Sequence, residues 1–304
     1  MITQVVILGY GEIGKAIHHL LLPQTDITVT CWDKNSDIVP EQQTLEAILP
    51  TCDVLFVCVP TWTTRSALQS IHPFLKPETI VVSPSKGFEK ETCHRVDTLF
   101  PQNLPLHNPF VFLGGPMIAE EISAGLAAIG VAASTSIEAR TIVAKLFDRT
   151  PLVICQTDDV AGAVLAAALK NIYALGLGIC DGLNMGSNIH GALVSQATRE
   201  MMRIIATVDG NPETALGPAG LGDLVATAQS ANSTNYTTGI RFAQGLKPVR
   251  GSEALNTIPC IVNIPGVVLS DIPFLQAIYR IVVDKTPAQE AMLGVLLALC
   301  PQSA

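Results

Sequence analysis

A single lysine interrupts a long apolar run in the second half of the chain. Residues 160–177 are almost entirely aliphatic, and Lys170 is the only charged residue among them. Burying a bare ammonium group costs on the order of several kcal/mol, so a chain avoids this unless the charge has a partner or a task. Lys170 is therefore the first candidate functional residue.

A glycine-rich turn near the N-terminus has the pattern G-x-G-x-x-G. It follows the β-rich run 5–8 and precedes a predicted helix over 15–21. In this context the glycines permit a tight turn, close approach of a pyrophosphate and packing of helix on strand, and the helix N-terminus attracts the phosphate charge. The pattern predicts a dinucleotide-binding loop formed by Gly9, Tyr10, Gly11, Glu12, Ile13 and Gly14.

An acidic residue follows the second predicted strand, 27–32, at Asp33. A carboxylate at this point accepts hydrogen bonds from the adenine ribose hydroxyls and repels a 2′-phosphate, which favours NAD over NADP. Taken together, the nucleotide-binding loop and Lys170 predict a dehydrogenase in which one domain holds the cofactor and the other carries the lysine.

Further short apolar runs alternate with helical stretches, and this alternation predicts a Rossmann-type, doubly wound parallel sheet over residues 1–157. The predicted strands are 5–8, 27–32, 54–60, 79–83, 110–113, 127–132 and 152–155. Ligands of such sheets bind at the carboxyl ends of the strands. Two loops at such ends are candidates: Val59 and Pro60 lie in one and Lys86 in the other, although Lys86 by itself could equally be a solvated loop lysine.

The remaining residues, 158–304, predict an all-helical substrate and catalytic domain. Asp158 or Asp159 is placed to cap the apolar helix that carries Lys170, and a second helix is predicted over 189–208. Asp223 follows a glycine-rich stretch and starts the next helix, where it could serve either as an N-cap or as a functional acid.

The composition limits the classes of partner. Hydrophobic residues make up 48% of the 304 residues and charged residues 14%, with a formal net charge of −8. The absence of a basic patch argues against a nucleic-acid partner. Lys170 and Asn171 in the middle of the 160–177 run argue against membrane insertion, and no metal-ligand spacing is evident. A small molecule is the expected partner.

Eight cysteines are scattered along the chain without C-x-x-C spacing, and most lie in apolar runs. This pattern predicts reduced core residues in a cytoplasmic protein. The cysteines are Cys31, Cys52, Cys58, Cys93, Cys155, Cys180, Cys260 and Cys300.

Five ordered motifs resemble those of the bacterial type of NAD-dependent glycerol-3-phosphate dehydrogenase. They are the glycine loop at 9–14, S-K-G at 85–87, the segment G-G-P-M-I-A-E-E at 114–121, A-L-K-N at 168–171 and G-L-G-D-L-V-A-T at 220–227. The resemblance extends from residue 1 to about residue 245.

The resemblance implies a role for each matched residue. Lys170 would be the general acid that protonates the carbonyl oxygen during hydride transfer from NADH. The residues that would hold Lys170 and the substrate hydroxyls are Lys86, Asn171, Asp223 and Thr227. Further cofactor contacts would come from Val59, Pro60 and Ala119, and further substrate contacts from Gly115 and Asn235. The apolar second domain is consistent with a homodimer.

Departures from the family pattern concentrate where the substrate phosphate would bind. Thr234 stands where the family has an arginine that grips the phosphate, and Gln196 stands at a second arginine position. A threonine cannot replace a bidentate guanidinium. The family's further arginines give way to Tyr236 and Thr237, and its E-G pair falls on Arg250-Gly251. Arg241 or Arg250 could supply the charge from a new direction.

Three functions remain open on this evidence. The first is a dehydrogenase acting on sn-glycerol 3-phosphate and dihydroxyacetone phosphate. The second is a related NAD-dependent dehydrogenase for a different hydroxy-ketone or polyol, which the loss of arginine at Thr234 favours. The third is an NAD-binding pseudoenzyme or sensor, which the retained Lys170, Asn171, Asp223 and Thr227 argue against.

Overall fold

The computed structural model describes residues 3–104, 108–230 and 233–299. The chain forms two compact units. The first comprises Met1–Glu89 and His94–Val164, and the second comprises Lys90–Cys93 and Leu165–Ala304. The functional boundary after residue 157 stays a prediction.

Seven strands of the described residues form one sheet in the first unit, in the order β2-β1-β3-β4-β5-β6-β7. Their bounds are β1 Thr3–Leu8, β2 Ile27–Trp32, β3 Val54–Val57, β4 Ile80–Ser83, β5 Phe110–Gly114, β6 Ala128–Ala133 and β7 Leu152–Thr157. The central strands β3 and β4 are buried along their whole length, as expected for apolar runs covered on both faces.

Strand direction is the exception to the predicted parallel sheet. β1 to β5 run parallel, whereas β6 pairs antiparallel with β5 and parallel with β7. The predicted α/β class and all seven strands are confirmed, but the direction predicted for β6 and β7 is wrong. An apolar run has the same composition in either direction, so periodicity does not show which way a strand runs.

The first unit also contains α-helices, of which the first, fourth and sixth contact the strands of the sheet directly. They are α1 Glu12–Leu21, α2 Leu45–Ile48, α3 Thr64–Ile71, α4 Val96–Asn103, α5 Ala119–Ser123 and α6 Ile137–Lys145. Helix α1 begins at Glu12, earlier than predicted, because the turn of the glycine loop leads directly into it. A side chain at Gly14 would overlap the carbonyl of Gly9, so only glycine permits this close packing.

The regular secondary structure described in the second unit is helical. Its helices are α7 Val160–Gly182, whose first turn belongs to the first unit, α8 Ser187–Ala206, α9 Asp223–Gln229, α10 Thr234–Ala243, α11 Glu253–Thr257, α12 Pro273–Val282 and α13 Ala288–Leu299. Asp159 rather than Asp158 caps α7, because its Oδ1 accepts the N–H of Gly162 at 2.9 Å.

Helix α7 forms the core of this unit. It is the one described helix long and apolar enough to cross a membrane by length and composition, but its most apolar window is 100% buried inside the protein, which is typical of a core helix. Gly178 of α7 and Gly239 of α10 let the two backbones approach until a Cβ on either would overlap the other helix. This close packing sets α10 against the face of α7 that carries Asn171.

The cysteines differ from the prediction. Cys93 and Cys260, both in the second unit, form a disulfide, so the prediction of reduced thiols is wrong for this pair. Their separation of 167 residues hides the pairing from any spacing rule. Cys155 is exposed on the edge strand β7 rather than in the core, and Cys300 lies outside the described residues. Cys52 is buried, and burial raises the pKa of its thiol to about 12.

Candidate active site

The glycine loop leaves its backbone open at the point where a cofactor would approach. Gly9 has a φ of +94° and donates its N–H to the carbonyl of Trp32 at 2.8 Å, so the turn is anchored between β1 and β2. A Cβ built on Gly11 meets no atom within 4 Å. Gly11 is also the N-cap of α1 and provides no capping side chain. The open backbone at a helix N-terminus fits a dinucleotide pyrophosphate.

Asp33 is bound to the same loop. Its Oδ2 accepts the backbone N–H of Tyr10 at 2.7 Å, and its Oδ1 accepts that of Asn35 at 2.9 Å. The side chain of Gln42 holds the backbone of Asp33 through two further hydrogen bonds of 2.8 Å. The carboxylate therefore stabilises the loop conformation and keeps lone pairs that can accept further hydrogen bonds.

Tyr10 of the loop is held against α1. Its hydroxyl shares a hydrogen bond of 2.6 Å with Nδ1 of His18, two turns along the helix. Burial raises the pKa of Tyr10 and lowers the pKa of His18. Near neutral pH the pair is therefore uncharged, and the loop carries no tyrosinate or imidazolium that would alter its charge.

The other candidates of the first unit cluster after β3, β4 and β5. Lys86 donates to the carbonyl of Gly115 at 2.8 Å, so the structure brings together two residues predicted to bind substrate. Ser85 donates to the carbonyl of Val59 at 2.7 Å, which ties the loop after β4 to the loop after β3. Pro60 follows Val59 in that loop, and Ala119 begins α5 just after Gly115.

An ion pair that sequence reasoning missed holds the segment after Lys86. Arg65 of α3 makes two hydrogen bonds of 2.7 Å to the carboxylate of Glu89, which is 4% exposed. Arg65 also donates to the side chain of Asn103 at 3.2 Å. A bidentate guanidinium–carboxylate pair fixes geometry in two directions. It limits the freedom of the loop that carries Lys86.

In the second unit the buried lysine has its partner. Lys170 is 6% exposed, and its Nζ lies 2.9 Å from Oδ1 of Asp223 and 2.7 Å from Oγ1 of Thr227. Thr227 donates in turn to Asp223 at 3.3 Å. Gly222, not Asp223, is the N-cap of α9, so the carboxylate at the start of this helix pairs with the lysine. The ion pair offsets the cost of burying the ammonium group.

A second polar chain starts at the next residue of α7. Oδ1 of Asn171 accepts a hydrogen bond of 3.0 Å from Nδ2 of Asn235 in α10. Oδ1 of Asn235 accepts two more, from the hydroxyl of Ser252 at 2.8 Å and from the backbone N–H of Ala254 at 3.2 Å. Asn171, Asn235 and Ser252 are all at least nine-tenths buried. The predicted residues Lys170, Asn171, Asp223, Thr227 and Asn235 thus belong to two adjacent networks.

The positions that depart from the family pattern, Thr234, Gln196 and Tyr236, lie in different environments within the second unit. Thr234 is exposed at the first position of α10. Gln196 donates to the buried carboxylate of Glu200 at 2.9 Å. Tyr236 donates to Asp181 at 2.6 Å. The side chains of Gln196 and Tyr236 thus each bind a carboxylate of the helical unit.

The two candidate arginines are not equivalent. Arg241 lies in the last turn of α10, away from Asn235 in the first turn, and its Nε donates to the carbonyl of Lys247. Arg250 is exposed in the turn that leads to Ser252. Arg250 is therefore the arginine closer along the chain to the Asn235 network.

The sequence did not indicate Ser252, Gln42 or His18 as members of these networks. Each contacts a predicted residue across a turn, a loop or a second helix, and none belongs to a motif of its own. Only Ser252 lies within a segment with a family feature, because it follows the Arg250-Gly251 pair.

Comparison with known proteins identifies the family. Residues 36–140 match the model of the NAD-dependent glycerol-3-phosphate dehydrogenase N-terminus, and residues 159–293 match that of the C-terminus. The glycine loop at 9–14 and Asp33 lie outside both matched ranges. A glycerol-3-phosphate dehydrogenase [NAD(P)+] from Nostoc is 32% identical and covers 97% of this chain and 96% of its own length. One from Carboxydothermus hydrogenoformans is 29% identical over 96% of both chains.

Solved structures show the same fold. The glycerol-3-phosphate dehydrogenase of Coxiella burnetii superposes with a TM-score of 0.86 at 23% identity, covering 97% of this chain and 99% of that one. The Plasmodium falciparum enzyme superposes with a TM-score of 0.84 at 17% identity, covering 96% and 95%. Because the two family models together match most of the chain, at residues 36–140 and 159–293, the chain belongs to the NAD-dependent glycerol-3-phosphate dehydrogenase family.

Proposed function

We propose that the protein interconverts dihydroxyacetone phosphate and sn-glycerol 3-phosphate with NAD(H) as the redox cofactor. The observation that carries this proposal is the buried Lys170–Asp223–Thr227 cluster. The names of the curated relatives support the substrate, and the open glycine loop with Asp33 supports the cofactor.

Lys170 acts as the general acid in this proposal. As the carbonyl carbon of the substrate is reduced, its oxygen gains negative charge, and a proton from Nζ converts it to a hydroxyl. In the reverse direction the neutral amine takes up the hydroxyl proton. Asp223 stabilises the ammonium form at 2.9 Å, and Thr227 fixes the direction of the side chain at 2.7 Å. Asn171 helps to hold the substrate hydroxyls, and Asn235 provides a further substrate contact. Proton transfer by a positioned general acid such as Lys170 typically contributes about 10²–10⁴ in rate.

The first unit provides the cofactor side. NADH supplies the hydride when bound. Gly9 to Gly14 would hold its pyrophosphate and Asp33 its adenine ribose, and Val59, Pro60 and Ala119 would provide further cofactor contacts. Lys86 and Gly115 contribute polar groups to the substrate. We also propose that residues 1–157 and 158–304 are the functional domains and that the protein works as a homodimer.

The alternative substrate is a related hydroxy-ketone or polyol without the phosphate. The exposed Thr234 favours it, because a phosphate ester needs positive charge or several donors to offset its desolvation. The reaction and the role of Lys170 would be the same.

A substrate panel with purified protein separates these functions. NADH oxidation is followed by absorbance with dihydroxyacetone phosphate and, in parallel, with dihydroxyacetone and other unphosphorylated ketones. We expect turnover with the phosphate ester. Faster turnover of an unphosphorylated ketone would support the alternative. NADH binding without turnover of any of these ketones would indicate a pseudoenzyme.

A further inference from the structure

Ser252 occupies a helix N-cap but does not act as one. It precedes α11, and its backbone is extended, with φ −68° and ψ 109°, as is usual for an N-cap. An N-cap serine ordinarily accepts a hydrogen bond from a backbone N–H of the first turn of its own helix. Ser252 makes no such side-chain cap, and its hydroxyl donates to Oδ1 of Asn235 at 2.8 Å.

Asn235 takes over the capping role. Its Oδ1 accepts the backbone N–H of Ala254, the second residue of α11, at 3.2 Å. A residue of α10 thus caps α11, and the displaced serine binds the same oxygen. Ser252 could cap α11 by itself, so capping alone does not require Asn235 to take its place.

The exchange determines the orientation of the Asn235 amide. A backbone N–H can only donate, so the atom facing Ala254 must be the carbonyl oxygen. The hydroxyl of Ser252 adds a second donor at that oxygen. Nδ2 is then the only atom of the amide that can face Asn171, and it donates to Oδ1 of Asn171 at 3.0 Å. Asn171 is the immediate neighbour of Lys170 in α7.

We propose that Ser252 is a positioning residue: together with the backbone N–H of Ala254 it holds Oδ1 of Asn235 and so keeps the asparagine pair, Asn235 and Asn171, in its orientation. The inference rests on the proposed function for its effect on turnover, although the orientation itself does not depend on it. Ser252 is 4% exposed, so water does not readily replace its hydroxyl.

Asparagine-selective ¹⁵N labelling tests the orientation without any substrate. The side-chain amide signals of the pair are assigned by their loss in Asn171→Ala and Asn235→Ala. Ser252→Ala should shift the Asn171 signal, although Ser252 does not bind Asn171 directly. An unchanged Asn171 signal in Ser252→Ala would overturn the proposal.

Turnover provides the second test. Ser252→Ala should lower kcat about two- to tenfold, the effect of one lost hydrogen bond, with the affinity for NADH unchanged. In an Asn171→Ala or Asn235→Ala background the same substitution should have no further effect on kcat, because its pathway is interrupted. An equal loss in those backgrounds would show that Ser252 acts by another route.

Ser136→Ala is the matched control. Ser136 is a true N-cap in the first unit, and its hydroxyl accepts the N–H of Ala139 at 3.1 Å. Removing that cap should lower the melting temperature without changing kcat. If Ser136→Ala lowers kcat as much as Ser252→Ala does, the effect of Ser252 is general destabilisation. If the wild type fails to turn over dihydroxyacetone phosphate, the proposed function fails, while the NMR test of Ser252 still stands.

Discussion

The ammonium group of Lys170 lies 2.9 Å from the carboxylate of Asp223, and both side chains are almost completely buried. Lys170 lies on α7 and Asp223 on α9, so the ion pair joins two different helices. A buried pair of this kind is costly to assemble, and removing one partner leaves an uncompensated charge. Its presence at the centre of an apolar helix is the main physical argument for a catalytic role.

Lys170→Ala should therefore lower kcat on the order of 10²–10⁴-fold, because the carbonyl oxygen loses its proton donor. The affinity for NADH, measured by fluorescence titration, should change little, since the glycine loop and Asp33 lie in the other unit. Lys247→Ala, at an exposed lysine of the second unit, is the control and should retain wild-type kcat. Near-wild-type kcat in Lys170→Ala would exclude the lysine from the mechanism.

Asp33 should make the protein bind NADH more tightly than NADPH, because a carboxylate repels the 2′-phosphate. In Asp33→Asn that preference should shrink, and NADH affinity should also fall. An asparagine presents one oxygen where Tyr10 and Asn35 require two. Dissociation constants for both cofactors measure this, with Asp37→Asn at an exposed neighbouring carboxylate as the control. Equal binding of both cofactors by the wild type would contradict the assignment.

Thr234→Arg should lower KM for dihydroxyacetone phosphate about tenfold or more, the size of a charge-assisted contact. The position is exposed at the start of α10, so an arginine fits there without burial. Gln244→Arg adds the same charge just past the other end of the helix and should leave KM unchanged. The same drop in both variants would show a general effect of charge rather than a restored phosphate contact.

Arg250→Ala should raise KM for dihydroxyacetone phosphate more than Arg241→Ala does. Arg250 is exposed two residues before Ser252, whereas Arg241 is at the far end of α10 and bonds to the carbonyl of Lys247. Steady-state kinetics of both variants and of Arg250→Lys, which keeps the charge, test this. If neither alanine variant raises KM, the phosphate is bound by other groups.

Glu200 should make stability depend on pH. Its carboxylate is fully buried and accepts hydrogen bonds from Gln196, Tyr173 and the first N–H groups of α12, at Phe274 and Leu275. Burial raises the pKa of Glu200 above its ordinary value of 4.5, although the hydrogen bonds oppose this. A raised folded-state pKa means that the folded protein binds the proton more tightly than the unfolded chain. The stabilisation is thus complete below about pH 4.5 and is lost as the pH rises through the folded-state pKa.

The stability of wild type relative to Glu200→Gln should therefore decrease as the pH rises above 4.5. Urea unfolding of both proteins across this range measures the difference. Glu290→Gln, which changes an exposed carboxylate, is the control: the difference in unfolding free energy between it and the wild type should change much less with pH. A wild-type advantage that grows with pH would show that the hydrogen bonds to the carboxylate outweigh its desolvation.

Local sequence pattern was sufficient to predict the strands and the main helices. The seven strands follow from β-rich apolar runs, the glycine loop from its strand-to-helix context, and the helix of Lys170 from an unbroken apolar stretch. Each of these signals is contained within a few neighbouring residues. Strand direction is not encoded in such a local signal, which is why the predicted direction of β6 and β7 was wrong.

The sequence by itself determined which residues could do chemistry: the glycine loop, Asp33, Lys170 and the motifs shared with the family. Only the tertiary structure decided their partners. Asp223 could have been an N-cap, and it became the counter-ion of Lys170 because α9 packs against α7. Ser252 could have capped its own helix, and it binds Asn235 because α10 reaches α11. A hydrogen bond or ion pair between two helices forms only if the helix backbones pack at the right distance. That distance is set by close contacts such as the one between Gly178 and α10, which are remote in sequence from the side chains that form the bond.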